Sequence, residues 1–258
     1  MKKVFAIVLA SLLILGMFTA CGAKDDSAFQ TVEKGKLIMS TNASFPPYEM
    51  TTDDGGYAGI DVDIAGAIAE KLGLELVVDD MDFSAALLAV QQGKSDIVMA
   101  GVSVTPEREL VMSFSDSYAT GIQKVIIKEG SDVTMDNLGE KMIGCQQGTT
   151  GYIYASDTPE NGGYGEDHVI AYDNGATAVQ ALMNGQVDCV IIDSAPAAEY
   201  VAANPGLQLL DGSWVEESYA IGVNKENTAL LDAVNGALKE LTEDGTIDAI
   251  IGKYISAN

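Results

Sequence analysis

One arginine at a predicted helix start is the first candidate for binding chemistry in this sequence. Thr105-Pro-Glu-Arg108 has the composition of a helix N-terminus, with Thr105 as the N-cap and Pro106 at the first helical position. Arg108 would lie in the first turn, where the helix dipole opposes a cation, so an anionic partner is expected. Its planar guanidinium suits a carboxylate. The alternative is a surface arginine that pairs with a neighbouring glutamate.

The second candidate is the loop Gln146-Gln-Gly-Thr-Thr-Gly151, which follows a predicted strand and precedes a predicted helix. Free backbone N–H groups at such a junction bind anions, including carboxylates. The loop is not a Walker loop, because no Gly-Lys-Ser/Thr sequence follows it. A tight turn capped by Thr149 explains the same residues, so both interpretations stay open.

The third candidate is Asp193, which ends a predicted buried strand. Open α/β sheets place ligands at the carboxyl ends of their strands, so this carboxylate could accept hydrogen bonds from an ammonium group. The simpler alternative is that Asp193 caps the helix that follows.

The remaining reactive residues give little support for an enzyme or a metal site. His168 is the single histidine, and no nucleophile pattern accompanies it. Cys145 and Cys189 lie in apolar, strand-like runs without zinc-ligand spacing. They are predicted to be buried free thiols, and a disulfide is the alternative in an exported protein. No cofactor and no metal ion are predicted.

The charge balance argues against nucleic acid as a partner. The chain has 38 acidic and 14 basic residues, for a formal net charge of −24. Such a surface repels nucleic acid and anionic lipid headgroups, and the scattered basic residues form no phosphate-binding stripe.

The N-terminus has the pattern of an export signal. Met1-Lys-Lys3 is a short positive region, and residues 4–18 are almost entirely apolar. This run is shorter than a spanning helix of roughly 20 residues. Thr19-Ala-Cys21 follows and resembles the lipobox of bacterial lipoproteins, although Phe18 replaces the usual aliphatic residue. We expect a signal peptide over 1–20, lipidation of Cys21 and a flexible tether over 21–35. A secretory signal with an incidental cysteine is the alternative.

Strands and helices alternate from Lys36 onward, which is typical of an α/β fold. Residues 97–100 predict a buried strand leading to Gly101, whose missing Cβ allows a ligand to approach the backbone. A helix that ends at glycine, followed by an aspartate that starts a strand, occurs twice, at Gly93-Lys-Ser-Asp96 and Gly185-Gln-Val-Asp188. The repeat predicts two similar lobes, and convergence on a common motif is the alternative.

The predicted lobes are not continuous in sequence. Residues 36–120 form the first part of lobe 1, residues 121–217 form lobe 2, and residues 218–258 return to lobe 1. The chain would cross between the lobes near 118–124 and 215–221, and two crossings make a hinge.

Several segments in the same order resemble the extracellular solute-binding proteins of family 3, the receptors of polar amino acid ABC transporters. The resemblance covers nearly all of residues 36–254. Its segments are Phe45-Pro-Pro-Tyr48, Gly59-Ile-Asp-Val-Asp-Ile-Ala65, Gly93-Lys-Ser-Asp96, Ser103-Val-Thr-Pro-Glu-Arg108, Phe114-Ser-Asp-Ser-Tyr118, Gln147-Gly-Thr-Thr150, Gly185-Gln-Val-Asp188 and Asp244-Gly-Thr246. It implies a type II periplasmic-binding-protein-like fold with a ligand cleft between two lobes and two hinge crossings.

The resemblance also implies roles for individual residues. Arg108 would grip the α-carboxylate of a free L-amino acid, and Asp193 would take its α-ammonium group. Phe45 and Phe83 would sandwich the ligand's side chain, although both could equally be core residues. The other expected ligand-binding residues are Asn42, Ala100, Gly101, Ser103, Gln146 and Thr150.

The partners implied by the resemblance are a free L-amino acid, an ABC transporter permease and, through the lipid anchor, the outer face of the cell membrane. The protein is expected to be a monomer. A related enzyme resembling cyclohexadienyl dehydratase is the first alternative, and no acid–base pair supports it. A ligand-sensing domain is the second, but no spanning or signalling segment follows Tyr254.

The ligand class depends on Asn42, where many members of the family carry aspartate. Asn42 and Gln146 offer amide donors and acceptors, which match another amide. A buried cation needs a carboxylate partner, so a neutral, glutamine-like ligand is favoured over a cationic one. Glu49 or Asp82 would change this preference if either reached into the cleft. Gly151, where some members carry a polar side chain, also leaves the specificity open.

Overall fold

The computed structural model describes residues 29–255. The predicted signal peptide, Cys21 and the first part of the tether lie outside this range. Within it, no helix has the length and apolar character needed to cross a membrane.

Strands and helices alternate along the described chain, as the sequence predicts. The strands are β1 (Lys36–Thr41), β2 (Ser44–Phe45), β3 (Glu49–Thr51), β4 (Tyr57–Ala58), β5 (Glu75–Asp80), β6 (Ile97–Val98), β7 (Met112–Lys128), β8 (Ile143–Gln146), β9 (Val169–Tyr172), β10 (Cys189–Asp193), β11 (Leu207–Leu209) and β12 (Glu216–Asn224). The helices are α1 (Ile60–Leu72), α2 (Phe83–Gln91), α3 (Pro106–Glu109), α4 (Thr150–Ser156), α5 (Gly175–Met183), α6 (Ser194–Ala203), α7 (Thr228–Glu243) and α8 (Thr246–Tyr254).

The sheet has two parts that share the long strand β7. In the first part the strand order is β5-β1-β6-β12-β7, with β1 parallel to β5 and β6 and with β12 antiparallel to β6 and β7. In the second part β7 pairs antiparallel with β10, and β8 lies parallel between β10 and β9. The architecture is therefore mixed α/β, as predicted.

Strands β7 and β12 connect the two parts. Glu217 pairs with Gly121 and Tyr219 with Ala119, and β12 departs from regular register next to Tyr219. Ser103 also forms an isolated antiparallel bridge with Tyr219. The two antiparallel strands thus run through the region of the predicted crossings.

Helix α1 shows how the sequence pattern produces the packing. Ile60, Ile64 and Ile68 recur every four residues and are all fully buried. Gly73 ends the helix in the left-handed conformation, with φ of 69°, which glycine adopts at little steric cost. Helices α7 and α8 pack against α1.

The second part of the sheet has its own core, which contains both cysteines. Cys145 on β8 and Cys189 on β10 are buried free thiols packed with Ile143 and Ile191. Cys189 pairs with Ile143 rather than with Cys145. The prediction of two buried thiols is confirmed, and the disulfide alternative is wrong.

Candidate functional site

Every residue predicted to bind a ligand lines one cavity between the two parts of the sheet. About 330 Å³ of space that is free of protein atoms, part of it continuous with solvent, lies between its walls. The lining residues are Asn42, Phe45, Glu49, Phe83, Ala100, Gly101, Ser103, Arg108, Gln146, Thr149, Thr150 and Asp193. Glu49 and Thr149 also line it and lie outside the predicted ligand-binding set; of Glu49 and Asp82, the two acidic residues considered for the cleft, Glu49 reaches it.

The cavity lies where strands end. Asn42 follows β1, Gln146 is the last residue of β8 and Asp193 is the last residue of β10. Side chains from separate strands converge there because parallel strands place their carboxyl ends at one edge of a sheet.

Arg108 is positioned by the helix start that the sequence predicts. Thr105 accepts a hydrogen bond of 3.2 Å from the Arg108 backbone N–H, and Pro106 occupies the first helical position. The guanidinium donates from Nη1 to the Ser103 carbonyl at 2.7 Å and from Nη2 to the Gly148 carbonyl at 3.1 Å. Its carbon lies 5.4 Å from the centre of the Phe83 ring.

The Arg108 cation is buried without an ionic partner in the described chain. It makes no ion pair with a neighbouring glutamate, so the surface alternative is not formed. Burial lowers the pKa of Arg108, and the nearby charge of Glu217 opposes this effect. A buried cation whose hydrogen bonds go to carbonyl oxygens is suited to an incoming carboxylate.

The loop after β8 brings the two walls of the cavity together. Gln146 Nε2 donates to Asn42 Oδ1 at 3.0 Å, and Asn42 Nδ2 donates to the Met81 carbonyl at 2.9 Å. Thr149 caps α4 by accepting a hydrogen bond from the Tyr152 backbone N–H at 3.3 Å. The loop is therefore both a capped turn and a wall of the cavity.

Asp193 is not a helix cap through its side chain. It occupies the N-cap position of α6, but its carboxylate makes no capping hydrogen bond. Gln123 Nε2 instead donates to Oδ2 at 3.0 Å, and Oδ1 has no well-aligned donor, although the Tyr219 hydroxyl lies close by. Burial raises the pKa of Asp193 to about 7, and the nearby Tyr219 hydroxyl and the hydrogen bond from Gln123 oppose that rise.

Glycine is required beside Asp193 and beside Phe45. A Cβ on Gly121 would lie 2.6 Å from Asp193 Oδ1 and 2.5 Å from the Tyr219 ring. Gly101 has φ of 55°, and a Cβ there would lie 2.8 Å from the Phe45 ring. Side chains at either position would push groups of the cavity out of place.

Glu217 was not predicted as part of the site, yet its carboxylate connects residues from both walls of the cavity. Its Oε2 accepts hydrogen bonds from Ser103 Oγ at 3.2 Å, Gln123 Nε2 at 2.9 Å and Thr150 Oγ1 at 2.8 Å. Glu217 alternates in phase with the buried Tyr219 on β12, between the exposed Glu216 and Ser218. This period of two was the signal that could have identified it.

A second pair of acidic residues lies outside the predicted ligand-binding set, although the sequence named Glu49 as a residue that would matter if it reached into the cleft. Glu49 on β3 and Asp61 on α1 are both fully buried. Asp61 accepts hydrogen bonds from the Gly101 backbone N–H at 2.9 Å and from the Tyr118 hydroxyl at 2.8 Å. Burial raises the pKa of Asp61 to about 6, and these hydrogen bonds oppose the rise. Asp61 falls on the buried stripe of α1, since Ile64 and Ile68 lie one and two turns further on.

Comparison with known proteins gives a consistent match along the chain. The profile of the bacterial extracellular solute-binding proteins, family 3, matches residues 37–257. The arginine-binding extracellular protein ArtP of Bacillus subtilis (strain 168) is 30% identical over 260 residues, which cover 99% of both chains. A probable histidine-binding protein of Neisseria gonorrhoeae is 32% identical over 264 residues, covering 99% of this chain and 96% of its own.

Solved structures agree in fold. An ancestral arginine-binding protein bound to glutamine is 36% identical, with a TM-score of 0.80, over 87% of this chain and 100% of its own. The arginine-, lysine-, histidine-binding protein ArtJ of Geobacillus stearothermophilus is 30% identical, with a TM-score of 0.80, over 86% of this chain and 96% of its own. The predicted two-lobed periplasmic-binding-protein fold is confirmed.

Proposed function

Because the chain belongs to family 3 of the bacterial extracellular solute-binding proteins, we propose that it binds a free polar L-amino acid outside the cell and delivers it to an ABC importer. The observation that carries this proposal is that Arg108 and Asp193 line the same cavity. A buried cation and a buried carboxylate complement the carboxylate and ammonium groups of one amino acid. The relatives named above are binding proteins, which supports a receptor rather than an enzyme.

In this proposal the ligand completes the contact between the lobes. Its carboxylate would lie on Arg108, with Gly101, Ser103 and Thr150 around it, and its ammonium group would lie on Asp193. Phe45 and Phe83 would flank its side chain. Groups from both walls would then hold one ligand, so binding favours the closed arrangement that a permease can recognise.

Calorimetry against the common L-amino acids tests the receptor function directly. We expect at least one polar amino acid to bind with a single site, and the matching 2-oxo acid to bind much more weakly. A parallel assay of phenylpyruvate formation from prephenate addresses the enzyme alternative. Turnover of prephenate without amino acid binding would exclude the receptor.

The side chain of the ligand has two candidate classes. The sequence favours a neutral, glutamine-like ligand through Asn42 and Gln146, but these amides are already hydrogen-bonded to each other. Glu49 favours a cationic ligand instead, because its buried carboxyl group lines the cavity without a hydrogen-bond donor among the described residues. Relatives support either class, since one structure of an ancestral arginine-binding protein has glutamine bound and another has arginine bound.

Attachment to the cell surface is a separate part of the proposal. Lipidation of Cys21 would tether a monomeric receptor to the outer face of the membrane through residues 21–35. The lobe ranges 36–120, 121–217 and 218–258 also remain predictions, supported by the position of β7 and β12 between the two parts of the sheet.

A further inference from the structure

Glu49 is the most unusual polar group of the cavity. It lies on β3, its side chain is fully buried and it lines the cavity. Neither carboxyl oxygen finds a hydrogen-bond donor in the described part of the chain. Burying a carboxylate without partners costs free energy, so the group either carries a proton or requires a cationic partner.

Of the charged groups around Glu49, the buried carboxyl group of Asp61 acts on it most strongly. Two neighbouring carboxyl groups avoid like-charge repulsion when one of them carries a proton. The ionised form of Asp61 is stabilised more than that of Glu49, because the Gly101 backbone N–H and the Tyr118 hydroxyl both donate hydrogen bonds to Asp61. The proton therefore resides mainly on Glu49, whose pKa is raised well above its ordinary value by burial and then by the charge of Asp61.

The surroundings of Glu49 reinforce this assignment. The titratable groups that face it from the packed elements are Asp61, Asp80, Asp193, Tyr48, Tyr118 and Tyr200. All of these groups are acids, so none of them supplies a positive charge. Arg108 also lines the cavity, but its guanidinium is held by the Ser103 and Gly148 carbonyls.

We propose that Glu49 selects the ligand's side chain, and that a cationic head group takes the place of the proton on its buried, cavity-lining carboxyl group. This inference rests on the proposed receptor function and names the ligand as a cationic amino acid. When the cation enters, the proton leaves to solvent and Glu49 becomes a carboxylate paired with the ligand. A neutral amide would instead accept a hydrogen bond from protonated Glu49, and no proton would leave.

Proton release measured by calorimetry separates the two cases. The purified full chain is titrated with arginine and with glutamine near neutral pH, in buffers with different enthalpies of ionisation. Both ligands present the same ammonium group to Asp193, so the difference in protons released reports the side chain alone. We expect arginine to bind more tightly and to release about one proton more than glutamine.

The variant Glu49→Gln removes the titratable group and keeps its size and a hydrogen-bond donor. We expect it to abolish the additional proton release and to weaken arginine binding at least about tenfold more than glutamine binding. Asp82→Asn is the matched control: it also removes one negative charge, but Asp82 is exposed and does not line the cavity. The control is expected to behave as the wild type.

Three results would overturn the inference while leaving the receptor intact. They are tighter binding of glutamine than of arginine, equal proton release by both, and equal losses of both affinities in Glu49→Gln. Failure of every amino acid to bind would instead overturn the receptor function itself. The wild-type proton count does not depend on any variant, so the inference stays testable even if Glu49→Gln does not fold.

Discussion

The hydroxyl of Thr150 donates a hydrogen bond of 2.8 Å to the carboxylate of Glu217. Thr150 is the first residue of α4, whereas Glu217 lies on β12, one of the two strands that connect the parts of the sheet. The same Glu217 oxygen accepts from Ser103 on the opposite wall. One carboxylate therefore links both walls of the cavity to the connecting strand.

Glu217→Gln should weaken ligand binding without unfolding the protein. The glutamine side chain has the same size but loses the charge that strengthens hydrogen bonds from Ser103, Gln123 and Thr150. We expect a loss of about 1–3 kcal/mol in binding free energy, measured by calorimetry. Glu216→Gln, at the exposed neighbouring position, is the control. Equal affinities for both variants would show that the link between the walls does not contribute to binding.

Arg108→Ala should abolish binding while leaving the fold intact. The ligand carboxylate would lose its bidentate partner in a buried site, which costs roughly 2–5 kcal/mol. Circular dichroism checks the fold and calorimetry the affinity. Glu107→Gln changes an exposed residue on the same short helix and should bind normally. Wild-type affinity in folded Arg108→Ala would mean that another group holds the carboxylate.

Asp193→Asn should weaken binding, and the wild type should reject the 2-oxo analogue of its ligand. In both cases one member of the ammonium–carboxylate pair is missing, and the buried partner is left unsatisfied. Competition calorimetry with the amino acid and its 2-oxo counterpart measures the discrimination. Equal affinities for the two compounds would exclude this role for Asp193.

Ligand affinity should depend on pH through Asp193. Its pKa of about 7 in the ligand-free protein is above that of an ordinary aspartate, and an ammonium group stabilises the ionised form. Binding should therefore tighten as the pH rises from 5 to about 7 and then level off. The folding stability of the ligand-free protein should change with pH in the opposite direction. Protonated Asp193 stabilises the fold at low pH, and this contribution is lost as the pH rises through about 7. Asp193→Asn should remove the pH dependence that Asp193 contributes to ligand affinity, measured by calorimetry, and to folding stability, measured by thermal melts.

Cys21→Ser should release the protein from the membrane. A peptide tether without acyl chains has no hydrophobic hold on the bilayer. Membrane fractionation and mass spectrometry of the N-terminus in the native host would measure the change. Membrane association that persists in the variant would contradict the proposed anchor.

Part of the site could be predicted from the sequence alone because it depends on residues that are close together along the chain. The Thr105 cap and the placement of Arg108 depend on residues within one helical turn, so a short motif was sufficient. The buried stripe of α1 and the glycine that ends it followed from spacing in the same way. The order of many such segments along the chain was sufficient to predict the family and the two-lobed fold.

Only the tertiary structure could decide which carboxylates are buried and what they contact. Glu217 reaches Ser103 and Thr150 across 114 and 67 residues of sequence, and Asp61 reaches Gly101 across 40. In the sequence, Glu49, Asp61 and Glu217 are three of 38 acidic residues, most of which a surface would accommodate. The cost of burying a charge depends on its neighbours in space, and those neighbours come from separate strands and helices that meet only in the folded chain.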